Sequence, residues 1–460
     1  MERLTMQADF DHMMHMVSAV AIGVAAAAAS GQCDLADLFG PAQQFATDLS
    51  SYSVVIGDFD SDGTPDLAVS NQSANNVSVL LGNGDGTFQP RQNYPTDGSF
   101  PRSLAGGDLD GDGVLDLVVV NEFAGTIRVL LGNGDGTFQT LPVFNTGSNG
   151  TTAGPFAVAI ADLNADGVPD IAVTNRVTQV PPVVPGTTVS VLLGNGDGTF
   201  QARQDFETGS RPNAVVIGDL DADGTHDLAV ANGDSRTVSV LLGIGDGTFQ
   251  PRQDFDAGDL DATTDIKIGD LDNNGTLDLV VTNRGPGSGN ASVLLGNGDG
   301  TFQPRQQFET GPGTNSVAVG DLDGDGIPDL AVANPAGLLG FISVLRGNGD
   351  GTFQLRQDFS TGVLLIPISV AIGDLNGDGA PDLAATTAGS VSVLLNQCDF
   401  AAPCPADLVP PVGVLDLADV QAFITGFLAQ DPIADLAPPS GVFDLTDVQV
   451  FISSFTAGCP

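Results

Sequence analysis

The residues whose types and spacing could do chemistry are aspartates. A D-x-[DN]-x-[DN]-G-x-x-D pattern begins at Asp58, Asp108, Asp162, Asp219, Asp270, Asp321 and Asp374, at spacings of 50, 54, 57, 51, 51 and 53 residues. Positions 1, 3 and 5 aim short side-chain oxygens at one centre. Glycine at position 6 permits a tight bend, a carbonyl near position 7 adds a further oxygen, and position 9 closes the shell. Six to eight hard oxygens are what Ca²⁺ requires. The ligand sets read from the spacing are Asp58, Asp60, Asp62 and Asp66; Asp108, Asp110, Asp112 and Asp116; Asp162, Asn164, Asp166 and Asp170; and Asp219, Asp221, Asp223 and Asp227. The later loops supply Asp270, Asp272, Asn274 and Asp278; Asp321, Asp323, Asp325 and Asp329; and Asp374, Asn376, Asp378 and Asp382. Read instead as Asp-Gly turns that bind nothing, these loops would leave three or four carboxylates converging without neutralisation.

A second pattern, G-[NI]-G-D-G-T-F-Q, begins at Gly82, Gly132, Gly194, Gly243, Gly296 and Gly347. Each copy has one carboxylate (Asp85, Asp135, Asp197, Asp246, Asp299, Asp350) and reads as a hairpin turn rather than a metal site.

The remaining inventory narrows the chemistry. Lys+Arg is 14 against 57 Asp+Glu, a net charge of −43, and only four of the acids are Glu (Glu2, Glu122, Glu207, Glu309). A balance of that sign opposes binding to a phosphate backbone or to anionic lipid. It suits cations, and seven Ca²⁺ would bring −43 to about −29. There is no Trp and one Lys, Lys267; of three His, two (His12, His15) lie in the N-terminal leader. No catalytic residue is assigned, because His-dependent chemistry has almost nothing to draw on. A polysaccharide lyase or hydrolase stays open only through Asp pairs, and a purely structural envelope role is a further alternative.

The elements that must position these residues follow from the repeat. A period of about 50 residues means a solenoid, a propeller or an array. In one unit, Ala214–Gly218, Leu228–Asn232, Thr237–Leu242 and Phe249–Phe255 read as four strands, with the acidic loop between the first two and the glycine turn between the last two. The seventh unit stops at Cys398 without its last strand. Phe39–Thr47 matches Phe302–Thr310, so the N-terminal segment is expected to complete the last blade and close the ring. Residues 1–31, with the apolar run Val17–Ser30, read as a secretory signal peptide. No other stretch reads as a membrane span. Four cysteines behind such a leader allow three pairings, and the repeat alignment favours Cys33–Cys398 and Cys404–Cys459.

The seven acidic loops and six glycine turns resemble the FG-GAP/VCBS repeats of seven-bladed propellers such as integrin α heads, over about residues 32–399. The fold implied is all-β: a seven-bladed β-propeller of four-stranded blades. Residues 400–460 differ. Asp407–Ile424 recurs 28 residues later, with Gly413, Asp416 and Asp419 answered by Gly441, Asp444 and Asp447. Val420, Phe423, Ile424, Phe427 and Leu428 share a helical face, as do Val448, Phe451, Ile452 and Phe455. With Gly458-Cys459 near the end, this segment resembles a small all-α, EF-hand-like dockerin domain. Proline and apolar residues at Pro410–Val412 and Pro438–Ser440 replace the acidic loop positions, so calcium is expected in the propeller rather than here.

The resemblance implies a secreted or cell-envelope binding module anchored through its tail to a scaffold or envelope partner. The ligand, an extracellular protein or polysaccharide, would lie on the edge opposite the acidic loops, where the repeats vary most. Arg176–Thr187 and Thr146–Pro155 are the longest loops there. Asn121, Glu122, Arg176, Arg211, Asn232, Arg236, Asn283 and Arg284 are the candidate contact residues.

Overall fold

The computed structural model describes residues 38–146, 153–178, 185–285, 287–335, 340–362 and 365–398. The leader, Cys33, Cys404, Cys459 and the dockerin-like tail lie outside the described residues, as do parts of both long variable loops.

Each repeat folds into one antiparallel sheet because two of its strands are apolar enough to be covered on both faces. In the fourth, Pro212–Gly218, Asp227–Asn232, Thr237–Leu241 and Gln253–Asp256 pair in that order. Asp227–Asn232 is buried along its whole length, whereas the outermost strand Gln253–Asp256 is largely exposed. A strand buried on both faces reads as a continuous apolar run, which is why LAVAN shows no alternation. Seven such sheets are present; the second gains a fifth strand, because its outer segment splits into Phe138–Thr140 and Phe144–Asn145.

The innermost strands are Ser51–Gly57, Pro101–Gly107, Ala153–Ala161, Pro212–Gly218, Ala262–Gly269, Ser316–Gly320 and Val370–Gly373. Each touches the next, and the seventh touches the first, so the sheets close a circle around one axis. All strands fall in one compact unit, Phe39–Leu322 with Ile327–Asn396. Apolar clusters fill the gaps between adjacent sheets, as where Val238 and Val240 of the fourth meet Ile266, Leu279 and Val281 of the fifth.

The closure read from the sequence is present. Gln43–Ala46 pairs antiparallel with Ser390–Leu394 and completes the seventh sheet. Phe39 bridges Asn396, as Phe302 bridges Gly296 in the fifth repeat. Cys398 is disulfide-bonded, and its partner lies outside the described residues.

An aromatic girdle ties the outer parts of the sheets together. The Phe of each G-T-F turn meets the outer-strand aromatic of the preceding sheet edge to face: Phe45–Phe88, Tyr94–Phe138, Phe144–Phe200, Phe206–Phe249, Phe255–Phe302 and Phe308–Phe353. Phe39 supplies the seventh pair, with Phe359 at 5.1 Å. Each edge-to-face pair adds about 0.5–1.5 kcal/mol beyond the area it buries.

Part of the expected contact surface is interior. Asn121, Asn232 and Asn283, read as candidate contact residues, are at most 1 % exposed. With Asn71, Asn175 and Asn334 they occupy the sixth position of the second strand, a repeated structural device. Asn232 donates to Ser239 at 2.9 Å, and Ser239 donates to Asp254 at 2.6 Å, linking three strands of one sheet. Glu122 is also buried. Only Arg236 and Arg284 of the eight are exposed, and Arg176 and Arg211 are half-buried.

Candidate metal centres

The acidic loops are held in place by both of their ends. Each follows the last residue of an innermost strand, a glycine in all but the third blade (Ala161), and ends on the first residue of the next strand. Its second residue (Phe59, Leu109, Leu163, Leu220, Leu271, Leu322 or Leu375) is buried and anchors the turn. Gly63 at position 6 has φ +86°, a conformation that favours glycine.

Within that frame the backbone pins one side of each carboxylate. Asp58 Oδ2 accepts from the Gly63 amide at 3.0 Å, Asp60 Oδ1 from the Asp62 amide at 3.3 Å, and Asp62 Oδ1 from the Thr64 amide at 2.7 Å. The same bonds recur elsewhere, for example Asp219 with Gly224, Asp221 with Asp223 and Asp223 with Thr225. Pinning orients the carboxylates before any ion arrives.

Position 9 is the most constrained. Asp66 is fully buried; its Oδ2 accepts from the Phe59 amide at 2.8 Å and its Oδ1 from the Gly82 amide at 2.7 Å. Asp116, Asp170, Asp227, Asp278 and Asp329 make the same two bonds, the second always to the first glycine of their own G-N-G turn or its equivalent. In the last blade Asp382 binds the amides of Leu375 and Asn396. This residue therefore ties the acidic loop to the glycine turn of its own sheet as well as facing the loop centre.

Five loops bring three carboxylates together with one oxygen of each within 4.8 Å of the others. The triads are Asp58, Asp60 and Asp62; Asp108, Asp110 and Asp116; Asp219, Asp221 and Asp227; Asp270, Asp272 and Asp278; and Asp321, Asp323 and Asp325. The third and seventh loops carry Asn at position 3. Asn164 and Asn376 there donate to Asp166 and Asp378 at 2.9 and 2.8 Å, so their carboxylates form no such triad. Expected ligands Asp162, Asp166 and Asp170, and Asp374, Asp378 and Asp382, thus lie in properly shaped loops with one fewer acid.

The electrostatics follow from geometry. Burial pushes the carboxyls of Asp66, Asp116, Asp227 and Asp382 up to about 6, against the pull of their amide donors. Asp60, Asp110 and Asp221 are raised as well, by burial first and by the neighbouring carboxylates of the same loop. Crowded acids of this kind are relieved by a divalent cation, and all-oxygen donors of this type fit Ca²⁺.

The glycine turns behave as read. Asp85 Oδ1 accepts from the Thr87 amide at 3.0 Å and from its hydroxyl, which holds this carboxyl below its usual value. None of these turn aspartates joins a triad among the described residues. A link the motif did not reveal runs between blades: the Gly86 amide donates to the Leu375 carbonyl and Gly136 to Phe59, so each turn rests on the acidic loop of the blade before it. In the seventh blade the Asn396 side chain makes the corresponding bond to Leu322 at 2.8 Å.

Known proteins place this arrangement. No curated protein matches the chain. Among solved structures, a catalytically inactive variant of virginiamycin B lyase from Staphylococcus aureus is 14 % identical with a TM-score of 0.52, covering 77 % of this chain and 99 % of that one. BBS1N in complex with ARL6DN is 12 % identical with a TM-score of 0.52, over 78 % and 97 %. A putative 6-phosphogluconolactonase from Bacteroides uniformis is 16 % identical with a TM-score of 0.52, over 67 % and 84 %. At such identities the likeness is one of fold. The FG-GAP-like repeat model matches residues 58–119, 108–173, 183–230, 219–281, 280–332 and 321–385, and each match opens on or spans an acidic loop. The chain belongs to the FG-GAP-like repeat family, as a seven-bladed propeller whose acidic loops are its candidate Ca²⁺ sites.

Proposed function

We propose that the protein is a calcium-dependent extracellular binding or adhesion module without catalysis of its own. The observation that carries this reading is the division of labour between the two edges of the blades. One edge holds the acidic triads and glycine turns, nearly identical from repeat to repeat. The other holds the connections in which the repeats diverge. Metal on one edge would brace the ring, leaving the opposite edge free to vary for recognition, as is usual for loops on a rigid scaffold. The leader reading supports export, where calcium is constantly present. The dockerin-like reading of 400–460 supports anchoring to a scaffold or envelope protein.

The named neighbours include enzymes, yet His226 is the sole histidine among the described residues. It sits exposed on the acidic-loop edge, its ring Nδ1 2.7 Å from the Asp162 carbonyl of the blade before. That favours binding over a histidine-assisted reaction.

The test uses protein from Gln32 onward in about 2 mM calcium, incubated with neutral and acidic polysaccharides and with cell-envelope extract. Calcium-dependent retention without soluble product supports the proposal. Deletion of Cys404–Pro460 then separates propeller binding from tail anchoring. Release of product would replace it with an enzymatic role, and neither retention nor product would leave a structural one.

A further inference from the structure

On the variable edge, three adjacent blades depart together from the repeat. The residue that follows the cross-strand partner of the buried Asn is Tyr52 in the first blade, Arg102 in the second and Phe156 in the third, but Asn213 and Thr264 in the fourth and fifth. The large side chains interlock. The Arg102 guanidinium lies over the rings of Tyr52 at 4.5 Å, Phe156 at 5.0 Å and Phe100 at 5.2 Å. Its Nε donates to Glu122 at 2.5 Å. Arg176 lies over the other part of the cluster, 4.2 Å from the Phe156 ring centre, and reaches Glu122 only at 3.9 Å.

The charge here is inverted relative to the rest of the molecule. Arg203, Arg252 and Arg356 each sit beside an aspartate two residues on. In this cluster Arg102 and Arg176 share one carboxylate, and Arg211 stands close enough to Arg176 for the two charges to oppose each other. Burial, then the charge of Arg211, pushes the Arg176 guanidinium down to about 10. Its Nε is buried without a hydrogen-bond partner. Arg211 is about one-third exposed and holds Asp234 at 3.3 Å. Beside Arg102, Phe100 and Phe123 stack at 4.4 Å, and Phe123 leaves 52 % of its surface in solvent.

Resting on the binding-module reading above, we infer that this cluster is the ligand site and that it takes a uronate residue of a glycan. Arg102, clamped by three rings and Glu122, is a positioning residue. Arg176 and Arg211 offer guanidinium donors, which match a carboxylate in bidentate geometry. Phe123, stacked on the Phe100 ring that Arg102 covers, offers an exposed apolar plate suited to the C–H face of a pyranose ring. A uronate combines one carboxylate with such a face; a glutamate or aspartate side chain of a peptide has the charge without the plate. Long-range repulsion from a chain of net charge −43 disfavours densely charged polyanions, so the ligand is a short or sparsely acidic glycan.

The experiment titrates calcium-loaded protein from Gln32 onward with a galacturonate trisaccharide, with its methyl ester and with triglutamate, by calorimetry. The acidic trisaccharide is expected to bind. Arg211→Gln and Arg176→Gln should each weaken binding about tenfold, and Phe123→Ala should weaken it too, while Arg305→Gln on the outer rim of the fifth blade should not. A thermal melt checks that each variant is folded; Arg211→Gln, the more exposed site, keeps the test open if Arg176→Gln is not. Equal binding of the methyl ester, preference for triglutamate, or no binding of the trisaccharide would each overturn the site. Parallel retention of wild type and Arg211→Gln on envelope extract keeps the two readings apart. Retention unchanged by the substitution, with no trisaccharide binding, removes this site and leaves the binding module standing.

Discussion

At the residue scale, the ninth aspartate of each loop does two things that pull against each other. Its two backbone bonds hold the turns of one blade together, while its burial disfavours the charged form. For Asp66, Asp116, Asp227 and Asp382 the folded carboxyl is raised from 3.8 to about 6. A raised folded value means the folded state holds protons that the unfolded chain has released. This contribution is complete below about pH 4 and is lost as pH rises through about 6. Calcium-free protein should therefore melt at lower temperature at pH 7.5 than at pH 5, and the stabilisation given by calcium should widen over the same interval. Melting curves of dialysed and calcium-loaded protein measure this; a gap constant with pH would contradict it. Substitution separates the two roles. Asp60→Asn reproduces what the third and seventh loops already carry and should weaken calcium at one loop with little effect on the calcium-free fold. Asp66→Asn turns an amide N–H₂ toward a backbone donor, and should cost about 1–3 kcal/mol even without calcium. Chemical denaturation of both variants without metal distinguishes them. The ligand spacing was legible because a nine-residue loop is local. The partner of Asp66, the amide of Gly82, was not, because it comes from a turn two strands later.

At the element scale, the blades hold together through contacts that no single repeat contains. Phe302 is 9 % exposed and meets Phe255 of the previous blade at 5.3 Å and 79°. Phe302→Ala should destabilise the calcium-loaded protein by about 3–5 kcal/mol. Phe302→Leu keeps most of the volume and loses chiefly the ring pair, so its cost should be nearer to about 1 kcal/mol. Equal effects of the two in a denaturant titration would show that volume, not ring geometry, is what the girdle supplies. The four-strand blade, the order of its strands and the closing segment could all be read from apolar runs, turn glycines and the match of Phe39–Thr47 to Phe302–Thr310. What the sequence hid was register between repeats: which Phe meets which ring, and that the Asn near the end of the second strand in blades four, five and six faces inward to a Ser rather than outward to a ligand. The Arg102 cluster was hidden for the same reason. Tyr52, Arg102 and Phe156 stand about one repeat apart in the chain, and only the packing of adjacent blades brings them together.

At the scale of the whole molecule, stability depends on that closure. A propeller keeps its sheet edges short and protected only while its last sheet is complete. Here the final strand is lent by the N-terminal segment: Gln43–Ala46 covers Ser390–Leu394, the Gly40 amide donates to the Leu395 carbonyl at 2.9 Å, and Phe39 and Phe45 complete the aromatic girdle on either side of the seam. A chain starting at Thr47 loses all of these at once and presents the sequence SVSVL as an open, apolar edge, a template for pairing with another copy. Such protein should associate in light scattering and lose its single cooperative melt, and a peptide covering residues 38–46 added in trans should reverse both. A chain starting at Leu38 keeps the strand and omits Cys33. If it stays monomeric and melts close to the longer protein, the strand closes the ring; if it fails as the shorter chain does, a covalent bond upstream of Leu38 carries the seam instead. A monomer with an unchanged melt from the chain starting at Thr47 would mean that neither is needed, and that the seven sheets hold their circle by face-to-face packing alone.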